Sequence, residues 1–123
     1  MIKVWIGRVI SGLVALAFGG SAIMKFTAGG PEMAEGLAHV GIRETMIFPL
    51  AILELAVALV YAVPQTAVLG AILLTGYVGG MILTHWRVGD PVIVQIALGL
   101  LVWLGLYLRE SRLKDLIPLR KSA

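Results

Sequence analysis

Apolar and polar residues in this chain fall into long blocks and do not alternate. Four blocks are almost wholly apolar, at 4–24, 46–63, 66–85 and 91–108, and polar residues collect between them and after the last. A helix needs roughly 20 apolar residues to cross a hydrocarbon core of about 30 Å, and each block is close to that length. Lipid offers no partner to open backbone N–H and C=O groups, so each block must be helical. The pattern predicts an all-α, integral membrane four-helix bundle that fills residues 1–123 as a single domain, with a basic tail over 109–123.

The connections set the topology. Pro64-Gln65 leaves room only for an antiparallel hairpin between the second and third blocks. Trp86-Arg87-Val88-Gly89-Asp90 joins the third to the fourth, with Pro91 suited to the first helical turn. The long connection, 25–45, contains Gly30-Pro31-Glu32 as a helix start and Gly41 as a stop. Met33, Leu37 and Val40 then share one face, opposite Glu32, Glu35 and Gly36, which is the pattern of a short interfacial helix lying on the bilayer surface. Helices in lipid associate through close packing of small residues. Ser11, Ala15 and Gly19 in the first block, and Ala67, Ala71, Thr75 and Gly79 in the third, recur at four-residue spacing and are expected at the inner seams. Trp5, Trp86, Trp103, Tyr61 and Tyr107 lie near block ends, where an interfacial aromatic belt is expected.

Composition excludes the alternatives. The chain is 59% hydrophobic and 14% charged, against about 25% charged for a soluble domain. Too little charge remains to coat a water-facing globule, and the same apolar content excludes disorder. Lys3, Arg8, Arg109, Arg112, Lys114, Arg120 and Lys121 fall at one end of the bundle, and Lys25, Arg43 and Arg87 at the other. The excess predicts that both termini face the cytoplasm from a cell (inner) membrane. The net charge of +3 is therefore read as topology, with the lipid bilayer and no nucleic acid as partner. The first block is longer than the apolar core of a signal peptide and is expected to remain uncleaved. With no cysteine in the chain, disulfides, thiolate metal sites and thiol redox chemistry are excluded.

Glu54 is the residue that most needs an explanation. It stands eight residues into its block, roughly 12 Å below the boundary at about 1.5 Å per residue, near the midplane. An ionised acid there costs at least about 2.5–3.5 kcal/mol unless it is paired, protonated or facing a polar cavity. Every helix offers a polar group in the same half of the bundle: Lys25 on the first, Thr75, Thr84 and His85 on the third, Gln95 on the fourth. One reading is a small polar pocket around Glu54 with Lys25 and His85. The other is a structural lock in which Glu54 pairs once and specifies the packing. Arg8 lies at the opposite end, and Ser11, one turn from it, is expected to bond its own helix. One Glu and two His without cysteine make no metal-ligand set, so no metal is expected. No phosphate loop, nucleophile elbow or carboxylate pair appears.

Phe18-Gly19-Gly20-Ser21-Ala22-Ile23-Met24-Lys25-Phe26, the run Leu50-Ala51-Ile52-Leu53-Glu54-Leu55-Ala56, and Met81 to Pro91 resemble, in order and spacing, three motifs of the DoxX-like family of small four-helix membrane proteins. Leu50 or Ala51 stands where that family commonly has glycine. The resemblance runs from about Arg8 to Leu108. It implies a link to thiosulfate oxidation with quinone as acceptor and to membrane redox complexes with soluble partner enzymes, and in distant relatives a role in assembling other membrane proteins. The motif positions it singles out are Lys25 and Glu54, with His85 after them. On this footing the chain is expected to be an accessory subunit of a membrane redox system, with an oxidoreductase subunit as partner. It would bind a small anion or a quinone head group in the pocket around Glu54. The alternatives are a non-enzymatic membrane chaperone or assembly scaffold, and a small-solute carrier or channel working as a homo-oligomer. Whether the chain catalyses anything is left open.

Overall fold

The computed structural model describes residues 1–27 and 30–122. Five helices follow one another: α1 (Ile2–Thr27), α2 (Pro31–His39), α3 (Glu44–Ala62), α4 (Ala67–Arg87) and α5 (Ile93–Arg109). Short 3₁₀ turns cover Pro64–Thr66 and Ser111–Asp115, and no strand occurs among the described residues. The first, third and fourth helices, the fourth counted with its preceding turn, are long and apolar enough to cross a membrane. The fifth is apolar but shorter, at 17 residues. Leu16 is 72% exposed, Leu100 67% and Leu83 63%. An apolar surface of this extent calls for a lipid environment.

The four long helices form a ring in which α1 and α4 each touch α3 and α5. Val14 and Phe18 of α1, Val57 and Tyr61 of α3, Leu74 and Val78 of α4, and Val102 and Leu106 of α5 fill its centre. Tyr61 is fully buried, not at a belt. Its hydroxyl donates to the Val102 carbonyl at 2.7 Å and lies 3.1 Å from Ser11 Oγ, so a phenol is satisfied inside the bundle by backbone and hydroxyl partners. Ser11 correspondingly bonds across helices and not to its own: it also accepts from Arg109 Nε at 3.1 Å. Trp103 is fixed to the flank of α4, donating from Nε1 to Thr75 Oγ1 at 2.7 Å.

The small-residue stripe of α4 holds only in part. Ala67 and Ala71 are buried, whereas Thr75 and Gly79 are exposed. A four-residue repeat advances about 40° per step around a helix of about 3.6 residues per turn, so the stripe winds off the seam within three steps. The close approaches lie elsewhere. A Cβ at Gly105 would sit 2.6 Å from Ser11 Oγ, one at Gly7 2.6 Å from the Gly105 carbonyl, and one at Gly70 inside the backbone of Tyr61. A Cβ at Gly19, Gly76 or Gly79 would meet nothing.

The connection between α1 and α3 carries the expected short helix, α2, with Met33 and Leu37 half-buried, Val40 buried after its last turn, and Glu32, Glu35 and Gly36 exposed. It ends as the sequence indicates, at Gly41 in the left-handed region, φ +91°. The Gly41 N–H donates to Ala38 and the Ile42 N–H to Leu37, a paired bonding that satisfies the last helical carbonyls. α4 ends the same way at Gly89, φ +84°. The fifth helix begins at Ile93, after Pro91, because the Val92 carbonyl accepts the first helical bond from Ile96.

Candidate functional site

Lys25 stands in the last turn of α1 and Glu54 in the middle of α3. The Lys25 ammonium donates to Glu54 Oε1 at 2.8 Å and to Ser21 Oγ at 2.8 Å. Ser21 is four residues before Lys25, hence on the same helix face. The side chains of Lys25 and Glu54 are 11% and 3% exposed. The pair therefore cancels a charge at a depth where either ion alone would be costly. The first two donors of the ammonium are spent on these contacts. The third has no acceptor among the described contacts.

The pair forms one wall of a cavity of about 280 Å³. α4 supplies the facing wall through Tyr77, Thr84 and His85, with Gly76 and Gly80 leaving room between them. Leu37, Val40 and Ile42, from α2 and the turn after it, complete the lining. Tyr77 also packs edge-on against Phe18, ring centroids 6.1 Å apart, which sets the phenol beside the Glu54 carboxylate. His85 Nδ1 lies 2.8 Å from the Met81 carbonyl. Such a bond requires the proton on Nδ1, so Nε2 is the nitrogen left for other chemistry. Thr84 spends its hydroxyl proton on the same carbonyl at 3.0 Å and keeps its oxygen as an acceptor.

The end of α2 is fastened to the end of α4 at two points. Arg87 donates to the Val40 carbonyl at 3.1 Å while its guanidinium packs on Gly41, and His39 Nε2 meets Asp90 Oδ1 at 3.0 Å. A side chain at position 41 would collide with that guanidinium, so glycine is required there for contact as well as for its positive φ.

Of the six residues singled out from the sequence, Glu54, Lys25, His85 and Thr84 line this cavity, and Thr75 and Gln95 do not. Thr75 bonds Ala71 and receives Trp103 on the outer flank of α4. Gln95 is 9% exposed, with its Oε1 buried and unpartnered. Both were placed by depth along their helices, and depth does not specify the face. Ser21, Leu37, Val40 and Ile42 also line the cavity and were not singled out as site residues. Spacing from Lys25 points to Ser21, and the apolar face of α2 points to Leu37 and Val40. Among the described residues, no three His, Cys, Asp or Glu side chains gather to hold a metal.

The sequence profile of the DoxX-like family matches residues 9–106, most of the chain and all four long helices. The protein belongs to the DoxX-like family. Its matched region contains Lys25, Glu54 and His85 and leaves out only the first turns of α1 and the segment after Leu106. No curated protein and no solved structure matches this DoxX-like chain.

Proposed function

We propose that this DoxX-like protein is an accessory subunit of a membrane redox system and that the cavity at Lys25 and Glu54 receives a quinone head group. The observation that carries the reading is a buried ion pair on the lining of a mostly apolar cavity. Its net charge is zero. A free anion entering there would leave an uncompensated charge in a medium of low dielectric, whereas a neutral ring with carbonyl oxygens would not. The free ammonium N–H of Lys25 is a donor for one such oxygen. His85 Nε2 and the Glu54 carboxylate are groups on which a proton can reside beside the ring. The volume, about 280 Å³, suits a head group and not a long tail, which would leave between helices into lipid. When bound, a quinone would supply two-electron, two-proton chemistry that no side chain of this chain provides. The protein's share is to bind, orient and shield the ring, and a partner oxidoreductase would deliver the electrons. The basic excess at the end that carries both termini favours placing that end in the cytoplasm of a cell with an inner membrane.

The test is to purify the protein in a mild detergent, titrate a short-chain quinone and follow quenching of tryptophan fluorescence. Saturable binding is expected, weakened about tenfold or more by His85→Ala and by the paired Lys25→Met/Glu54→Gln change. Binding that survives both changes in folded protein would overturn the assignment. Passage of solute through vesicles containing this protein alone would favour the carrier reading instead.

A further inference from the structure

The end of the bundle away from Glu54 holds a second crevice, of about 230 Å³, between the start of α1, the end of α3 and the end of α5. Arg8 and Arg109 both line it, together with Ser11, Tyr61, Gly12 and Ala15. Two arginine side chains therefore border one small space. The four ion pairs among the described residues join Lys25 to Glu54, His39 to Asp90, Arg112 to Glu110 and Lys121 to Asp115, and none includes Arg8 or Arg109. Glu110, next in sequence to Arg109, is engaged by Arg112 through both of its oxygens, at 2.9 and 3.0 Å.

Topology alone needs only positive charge near the membrane surface, on side chains free to move. Arg109 is instead held. Its Nε donates to Ser11 Oγ, and Ser11 is in contact with the buried Tyr61 hydroxyl, itself bonded to Val102. This chain holds the Arg109 guanidinium against the buried Ser11–Tyr61 network, and no carboxylate engages it in the ion pairs among the described residues. Arg8 is held more loosely, with its guanidinium carbon 5.1 Å from the ring centre of Trp5. Two cations that border one crevice without an ion-pair partner, one of them held by a buried network, form a receptor for an anion with several oxygens. The planar fork of arginine matches phosphate in particular.

We infer that this crevice binds a phosphate group, carried by the head group of an anionic phospholipid. Gly12 and Ala15 leave the wall shallow along α1, so the glycerol end of a lipid has space to descend beside the helix. This site is independent of the quinone reading and stands at the other end of the molecule.

The experiment is calorimetric titration of the detergent-solubilised protein with dihexanoyl phosphatidylglycerol, with dihexanoyl phosphatidylcholine and inorganic phosphate as separate arms. Phosphatidylglycerol is expected to bind at one site per chain and about tenfold or more tighter than phosphatidylcholine. Arg8→Gln is expected to weaken binding about tenfold or more, since it removes a charge-assisted partner. It leaves the Ser11–Tyr61 network in place, so folding is not at issue. Arg109→Lys keeps the charge and loses the fork, and is expected to weaken binding too. Lys114→Gln and Arg120→Gln, basic positions outside the crevice, are expected to leave affinity unchanged. Full competition by inorganic phosphate at comparable concentration would keep the site and assign it to the free ion. Weak competition assigns it to the lipid. Equal binding of both lipids, or equal losses from Arg8→Gln and Arg120→Gln, would overturn the proposal.

Discussion

Replacing Lys25 by methionine keeps the length of the side chain and removes its charge, which leaves Glu54 at 3% exposure without its counter-ion. Removing one partner of a buried pair costs about 3–5 kcal/mol, because the orphaned charge has lost both water and its partner. Glu54→Gln is the milder change. Glutamine fills the same space and retains an oxygen for the ammonium, while Lys25, at 11% exposure in the last turn of α1, is close enough to the helix end to reach the interface. Its cost is that of a charge-assisted hydrogen bond, about 1.5–3 kcal/mol. In the double variant no charge remains buried, and the loss is expected to stay within the range of the milder single change. The two single costs therefore fail to add by about 3 kcal/mol or more, near the upper end of coupling between residues in contact. Unfolding in mixed micelles of rising denaturing-detergent content, followed by fluorescence of the three tryptophans, measures all four species of the cycle. Additive losses, or single losses each below about 0.5 kcal/mol, would refute the claim that the pair compensates a buried charge.

Two further perturbations test the packing and the exposed tail. Gly70→Ala drives a methyl into the Tyr61 backbone and is expected to destabilise by about 3 kcal/mol or more. Gly79→Ala meets open space and is expected to be neutral or to stabilise by up to about 1 kcal/mol, a contrast read in the same unfolding assay. In the tail, the hydrogen bond from Arg112 holds the Glu110 carboxyl down to about 2, below the ordinary glutamate value of 4.5. A depressed carboxyl contributes stability that is present above 4.5 and is lost as pH falls toward 2. Carbon NMR should show Glu110 titrating near the lower value, and Arg112→Ala should return it to the ordinary one, with no change at the Glu54 cavity.

How far the site was legible follows from which physical cost each residue reveals. A carboxylate at mid-bilayer depth is too expensive to stand alone, so Glu54 announces a partner. Lys25 is the cation at matching depth on a neighbouring helix. Gly41 announces a helix end, and both its positive φ and its contact with Arg87 were found. Azimuth is harder. Gln95 and Thr75 were at plausible depths, yet neither lines the cavity, Gln95 being buried elsewhere in the bundle and Thr75 lying on the outer flank of α4. Hydropathy along a wholly apolar helix carries almost no information about which side turns to a given neighbour. α3 shows the difficulty most clearly, since its apolar residues surround it and Glu54 alone betrays the inner face. The tie from Arg109 through Ser11 to Tyr61 was not legible for another reason. Its partners are 98 and 50 residues apart, and nothing local marks a serine that bonds across helices as different from one that bonds its own.

The two ends of the bundle meet the same cost in opposite ways, and the difference bears on what each can hold. At one end a cation and an anion cancel inside the low-dielectric region, so a neutral molecule with one or two oxygens can join them without disturbing the balance. At the other end two arginines border a crevice whose lining contains no carboxylate, so a ligand there must bring negative charge. A ligand suited to one end is unsuited to the other. Substitutions at Lys25 and at Arg8 should accordingly act on separate ligands, and the effects on binding should add, because the two sites share no side chain.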